Sequence, residues 1–476
     1  MKRLALCFLL PAFLFACSED KPSPKPKDGR LQQQDNAVIT VTDSQGRPLA
    51  DARVLIGDAL DQPFPGNFLT TDAQGQAVAP AAWQNAQAVT AEAPGHVRLT
   101  LFGQNPGNIS LRLRAASREP SLELKGVTTG HPIRDYDGHI DFGLVISALT
   151  RHDLLAFDLN KVISSRSDTM SVVGQRISIP SNVTLPRQKE SYLIPITLEK
   201  SSYRLYFGEQ GTQRVFAAQG RFPFRTVLSE LQKDRQFYEL INHFSITGGV
   251  VRDISVQGPT RVDLPVSELR FDTQRTLLAP AIQADQVMIA LATAEMNGWF
   301  VPTDVKRLTS GQQMRLSVLD PASAYAVSVL KNSNEFEGAG MTRLSATILP
   351  FADGLTPRFL PLIADPRVTM NGDLQLPRPA AVQGVSELAT HALYSAVKSL
   401  PGENGKTIEH LERLWEVFAP EWATDLNLPK WPGGTAQPTK KRWEVTYLGS
   451  LSQNKVELGQ SVIDAATHVT HSSLDF

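Results

Sequence analysis

Apolar and polar residues alternate in short runs along most of this chain, with a period of two far more often than 3.6. Residues 37–41 form a β-rich run, and Asp43-Ser-Gln-Gly46 ends it with a turn signal. Alternation resumes at Ala52, Val54 and Ile56, then at Val97, Leu99 and Leu101, then at Ile109, Leu111 and Leu113. Short alternating strands with Gly-bearing turns predict a β-sandwich over residues 37–115. From 118 to 375 the texture stays β-rich: Ile140, Phe142, Leu144 and Ile146 alternate, as do Tyr192, Ile194, Ile196 and Leu198. One stretch breaks the pattern. Val227, Leu228, Leu231, Phe237, Leu240, Ile241 and Phe244 fall at helical spacing and predict a single amphipathic helix over 227–244, ending near Gly248-Gly249. Its polar face mixes charges, so it reads as a helix packed on a sheet rather than a membrane-surface helix. In the tail, 376–476, the segments 385–400 and 408–418 fit either period, whereas 443–448 and 467–471 alternate as strands. Continuity with the rest favours β there too. The fold class predicted is mainly β, an N-terminal sandwich followed by further β-rich domains with few helices.

The first residues obey other rules. Lys2 and Arg3 precede an apolar stretch over 4–16, too short to span a bilayer, and the chain turns polar at Ser18-Glu19-Asp20. This order predicts a secretory signal over residues 1–16. Residues 18–35 hold almost nothing apolar and carry repeated prolines, so 17–36 reads as an extended tether. Leu14-Phe15-Ala16-Cys17 resembles the lipobox of bacterial lipoproteins. The resemblance implies cleavage before Cys17, acylation of its sulfur, and a lipid bilayer as partner. With Ser18 following, it further implies sorting to the outer membrane, facing the periplasm or the cell surface. Only two Cys occur, Cys7 and Cys17. After such cleavage no thiol is left for disulfides, metals or nucleophilic catalysis.

Three pieces of the first β region resemble the carboxypeptidase regulatory-like domain, a transthyretin-like sandwich of the bacterial-Ig type. They are Asp43-x-x-Gly46-x-Pro48-Leu49-x-x-Ala52-x-Val54, Thr70-Thr71-Asp72-x-x-Gly75, and Ala91-x-Ala93-Pro94-Gly95. The resemblance covers residues 37–115 and implies a fold. Modules of that family serve as spacers, adhesion units or carbohydrate binders, and fold alone does not choose among them.

Composition narrows the function classes. The chain has 476 residues, about three domains' worth at roughly 150 each. Lys+Arg number 47 against 48 Asp+Glu, a net charge of −1, so no basic excess exists to neutralise a phosphate backbone and nucleic acid is not an expected partner.

Catalytic motifs are absent or broken. No H-E-x-x-H or G-x-S-x-G occurs, and His391 and His410 lack a histidine four residues away. Gly402-Glu-Asn-Gly405-Lys406-Thr407 imitates a phosphate loop, but Leu400 stands where its first glycine is required. Ser395-Ala-Val-Lys398 matches S-x-x-K without the companion K-T-G.

Two weaker binding candidates stand out. Asp135, Asp137 and Asp141 occupy first, third and seventh places of a hard-oxygen pattern suited to Ca²⁺, with His131 near. Gly138 and Ile146 sit where an EF-hand would need other residues, and a polar turn explains the same residues. Trp415, Trp422, Trp431 and Trp443 lie close together in the tail. Aromatics fill cores more often than they stack on sugars, and a sugar platform would use Trp422 and Trp431.

The expectation is a membrane-anchored extracytoplasmic binding or structural lipoprotein, for adhesion, envelope scaffolding or complex assembly. It is expected to need no cofactor and to have no catalytic residues, with an envelope protein or a glycan as partner. The alternatives are a carbohydrate-binding lipoprotein using the Trp-rich tail, and a hydrolase whose paired carboxylates a single sequence does not reveal.

Overall fold

The computed structural model describes residues 37–57, 68–116, 119–156, 162–164, 166–172, 175–187, 199–231, 233, 237–333, 343–370, 372–401, 407–429 and 439–476. The protein is mainly β with few helices. Residues 1–36, which hold the predicted signal, tether and Cys17, and Trp431 lie outside the described residues.

The N-terminal module shows why its turn residues recur. Asp43 accepts hydrogen bonds from the backbone N–H groups of Gln45 (2.8 Å) and Arg47 (2.9 Å), closing the turn at Gly46. Asp72 does the same for Gln74 and Gln76, both at 2.9 Å, beside Gly75. Gly75 has φ +70°, and a Cβ there would lie 2.5 Å from the Val41 carbonyl oxygen, so a side chain is barred on two counts. Thr71, buried between the turns, accepts from the Ala52 N–H (2.9 Å) and donates to the Leu49 carbonyl (2.6 Å). The strand Val38–Asp43 pairs with Gln76–Val78 on one side and runs parallel to Ile109–Leu113 on the other. Its inward residues Ile39 and Val41 pack with Val54, Val89, Leu99 and Leu101 from the opposing layer.

That opposing layer is the end of a much larger sheet. Twelve strands are hydrogen-bonded in the order Trp299–Leu308, Gln286–Met296, Ala324–Asn332, Arg343–Pro350, His468–Asp475 and Lys441–Ser450, then Ser386–Pro401, Thr407–Pro420, Arg98–Gln104, Gln87–Glu92, Arg53–Ile56 and Leu69–Thr70. Arg98–Gln104 joins it by running parallel to Thr407–Pro420, with Trp415 opposite Arg98 and Phe418 opposite Leu101. The sheet unites strands from either side of residue 115 and from either side of residue 376, since Arg343–Pro350 pairs with His468–Asp475. The two tail segments readable at either period, 385–400 and 408–418, are the long antiparallel pair Ser386–Pro401 and Thr407–Pro420.

One face of this sheet is covered by the short helices Arg151–Ala156 and Gln460–Ala465. Leu154, Leu155, Val462 and Ile463 pack there on Leu344, Ala346, Leu448 and Val469. The other face, under the C-terminal strands, buries Tyr394, Trp415, Trp443 and Tyr447 against Leu360, Leu374 and Leu426 of the long connections. A five-stranded sheet built on His139–Ser147, Gly211–Pro223 and Ser245–Val256 packs against a smaller one built on Leu122–Thr129 and Ser202–Phe207.

The periodic stretch 227–244 is not one helix. It is helical at Phe224–Leu231 and Phe237–Leu240, and Ile241–His243 forms a 3-10 turn. Residues 232 and 234–236 are outside the described residues. The polar run Gln232-Lys-Asp-Arg-Gln236 supplies no apolar anchor to hold a continuous helix on the sheet.

Gly126 marks the tightest approach between segments. A Cβ there would lie 1.7 Å from the Val262 carbonyl oxygen, which also accepts the Tyr203 hydroxyl at 2.7 Å. Backbone on one side and a fully buried tyrosine on the other leave no room to yield. Gly126→Ala is expected to lower folding stability by roughly 3 kcal/mol, the upper end of overpacking costs. Urea unfolding followed by tryptophan fluorescence checks this, and a wild-type midpoint would refute it.

Candidate functional site

On the helix-covered face of the large sheet, three segments place titratable side chains together. His391 belongs to Ser386–Pro401 and Glu416 to the neighbouring Thr407–Pro420. His391 stands opposite Phe418, so Glu416 is its diagonal neighbour on the same face. The His391 Nε2 lies 2.9 Å from Glu416 Oε1, and its ring stacks on Phe418 at 4.5 Å. His152, from the helix Arg151–Ala156, meets the His391 ring edge-on at 6.0 Å.

That helix is pinned at its start. Asp153 accepts from both the N–H (2.9 Å) and the hydroxyl (2.7 Å) of Thr150, and Arg151 donates to the Ala466 carbonyl at 2.7 Å. The cap and the anchor fix the position of His152 over the sheet. One ligating atom from each of His152, His391 and Glu416 lies within 4.8 Å of the others; among the described residues this is the one such group of three His, Cys, Asp or Glu.

Charge organises the surroundings. Arg114, at the end of the N-terminal module, places Nε 3.4 Å from Glu416 Oε2 and donates from Nη2 to Gln460 at 2.9 Å. Burial opposes ionisation of Glu416, but Arg114, the His391 hydrogen bond and Arg413 outweigh it and pull its pKa down to about 2. Burial pushes the His391 pKa below the ordinary imidazole range, against the pull of Glu416. His391 is therefore neutral at pH 7 and Glu416 is a carboxylate. The polar row continues across the sheet: Thr446 is opposite His391, and its hydroxyl lies 2.9 Å from Nδ1 of His471 on the next strand. No histidine stands four residues from His391, the spacing a helical metal motif would need. The actual partner is 25 residues away on an adjacent strand. Only strand pairing could have revealed it.

The residues singled out from sequence lie elsewhere. In the aspartate loop, Arg221 pairs with two of the three carboxylates. Its Nη2 lies 2.9 and 3.0 Å from the two Asp137 oxygens, and its Nε 3.1 Å from Asp141 Oδ1. The hydrogen bond from Arg221 draws the Asp137 pKa down to about 2, while burial raises that of Asp141 against Arg221. Asp137 also caps the turn by accepting the His139 N–H at 3.1 Å. Asp137 and Asp141 thus form a polar turn paired with the Arg221 guanidinium.

Trp422 is 2% exposed and donates to the Leu448 carbonyl at 2.9 Å, so its faces are not available to a sugar. Trp415 and Trp443 are buried with it, and Trp431 is outside the described residues. Ser395 and Lys398 lie on a strand, where residues three apart face opposite ways. Ser395 Oγ is buried with no hydrogen-bond partner among the described residues, while Lys398 pairs with Glu412 at 2.7 Å. Thr407 opens a strand rather than a helix, and 402–406 are outside the described residues. A cavity of about 260 Å³ near the end of this hairpin is lined by Gly95, Glu119, Lys398, His410 and Glu412 among others, with charges of both signs.

No family model matches this chain, and no curated protein matches it. Among solved structures it is similar to the Bacillus anthracis TIE protein, with 8% identity and a TM-score of 0.16 over 67% of this chain. The match takes in 48% of that protein, so the chain spans about half its length. It is also similar to BcpA, the major pilin subunit of Bacillus cereus, with 8% identity and a TM-score of 0.16 over 81% of this chain and 99% of that one. A third is the major pilin protein of Streptococcus pyogenes, with 8% identity and a TM-score of 0.09 over 65% of this chain and 99% of that one. At these scores the similarities carry no argument about activity or partners.

Proposed function

We propose that this protein is a lipid-anchored extracytoplasmic component of the cell envelope with a structural or binding role: adhesion, scaffolding or complex assembly. The observation that carries the reading is the twelve-stranded sheet, in which the first β module pairs with Thr407–Pro420 and so shares one sheet with His468–Asp475. Separate modules on flexible linkers rotate against one another by default. A shared sheet removes that freedom and suits a part that must hold shape between an anchor and a partner. The lipobox-like Leu14-Phe15-Ala16-Cys17 and the proline-bearing segment after it supply the anchor and the tether in this reading. Multiple acyl chains hold a protein at a bilayer where a single chain does so marginally. Three of the four tail tryptophans are buried, which favours an envelope protein over a glycan as partner.

The test is in two parts. Cys17→Ser is expected to abolish incorporation of labelled palmitate and to move the protein from the membrane pellet to the supernatant. Retention of label would refute the anchor. Affinity capture of the anchored full chain from native envelopes is expected to bring down a stoichiometric protein partner. Recovery of the chain alone would refute the assembly role.

A further inference from the structure

We propose that His152, His391 and Glu416 form a binding site for a first-row divalent transition metal of the zinc type. Two imidazoles and a carboxylate are an N₂O donor set, the three-ligand composition of open zinc sites, whose fourth place water takes.

Geometry agrees. Tetrahedral zinc, with bonds of about 2.0–2.2 Å, holds its donor atoms about 3.3–3.6 Å apart. Here the three donors are within 4.8 Å of one another, and His391 Nε2 and Glu416 Oε1 are 2.9 Å apart. Binding would spread that last pair by a few tenths of an ångström and draw His152 inward, movements that side-chain rotation can supply. Glu416 turns Oε2 to Arg114, leaving Oε1 to the metal. The donors come from one helix and two strands, so the metal would tie the helix Arg151–Ala156 to the sheet.

The same residues without metal make a buried polar chain, His391 hydrogen-bonded to Glu416 and Glu416 paired with Arg114, and that reading predicts the opposite behaviour of Arg114. For the bare chain Arg114 is a needed partner. For the metal it is a competing positive charge, and its removal strengthens binding.

The experiment titrates Zn²⁺ into metal-stripped full-length protein by calorimetry, with Co²⁺ absorption as a probe of coordination. This is independent of the anchoring proposed above. One Zn²⁺ per chain is expected. His152→Ala changes a half-buried helix position and is expected to weaken binding at least tenfold with an unchanged circular dichroism spectrum. Arg114→Gln is expected to tighten binding severalfold, and Co²⁺ is expected to give visible bands that His391→Asn removes. Absence of saturable Zn²⁺ uptake by the wild type, or His152→Ala binding with wild-type stoichiometry and affinity, overturns the proposal.

Discussion

Lowering the pH from 7 to 4 is expected to remove roughly 3 kcal/mol of folding stability for each of His468 and His471. Both rings are buried on the strand His468–Asp475, and burial is the largest cause holding the pKa of each down to about 4. For His471 the neighbouring His391, Lys331 and Arg442 add to the effect; for His468 a hydrogen bond with the Arg358 backbone opposes it. The unfolded chain takes up these protons at the ordinary imidazole value of 6.5, whereas the folded chain refuses them until about pH 4. In that window the unfolded state binds more protons. Stability is therefore complete above pH 6.5 and falls as the pH drops toward 4. Because this strand sits between Arg343–Pro350 and Lys441–Ser450, its loss splits the large sheet. Urea midpoints measured each half unit from pH 7.5 to 4 check the slope. The double variant H468N/H471N is expected to be nearly flat across the window, and a wild type equally flat would sink the prediction.

Glu416→Ala is expected to cost about 3–5 kcal/mol at pH 7, the range for removing one partner of a buried ion pair. The loss leaves two donors stranded. His391 loses the acceptor 2.9 Å from its Nε2, and Arg114 loses the carboxylate that offsets its charge at the module boundary. Glu416→Gln keeps an oxygen for His391 and is expected to cost less, about 1–3 kcal/mol. The pH dependence separates this from the histidine effect. The Glu416 pKa is depressed from 4.5 to about 2, so its contribution is whole above pH 4.5 and disappears as the pH falls toward 2. The wild-type profile should therefore steepen again below pH 4.5, and that lower limb should vanish in Glu416→Ala. Chemical unfolding of wild type and both variants at pH 7 and pH 3 gives the comparison. An alanine variant within 1 kcal/mol of wild type at pH 7 would show that Arg114 and His391 find other partners.

The β character of the chain was legible because the relevant signals are local. Alternation at 52, 54 and 56, at 97, 99 and 101, and at 109, 111 and 113 falls on strands whose inward residues are in the core. The turn aspartates Asp43 and Asp72 act within four residues of themselves. What failed was reading across distance. The periodic residues of 227–244 mark helical turns, but periodicity does not register that the middle of the stretch, Gln232-Lys-Asp-Arg-Gln236, is polar throughout. The Asp135 loop shows three carboxylates in a row of seven residues and conceals Arg221, 80 residues beyond Asp141, which pairs with Asp137 and Asp141. The His391–Glu416 pair depends on register between neighbouring strands, set by the hairpin and by a bulge between Tyr394 and Ser395. The tail tryptophans were visible as a cluster, but whether an indole faces a core or solvent depends on which loop covers it, and those loops come from around residues 360 and 374.

The parallel pairing of Arg98–Gln104 with Thr407–Pro420 also has a consequence in time. A chain emerging from its N-terminus presents the first module some three hundred residues before the strand that completes its sheet. Until then Arg98–Gln104 is an open edge, with unpaired N–H and C=O groups and the hydroxyl of Thr100 still lacking the Trp415 indole that will donate to it at 2.8 Å. Contacts of such sequence separation close slowly and leave intermediates exposed to edge-to-edge aggregation. The folded chain owes this part of its rigidity to a join between distant segments, and the incomplete chain depends on whatever shields that edge while it waits.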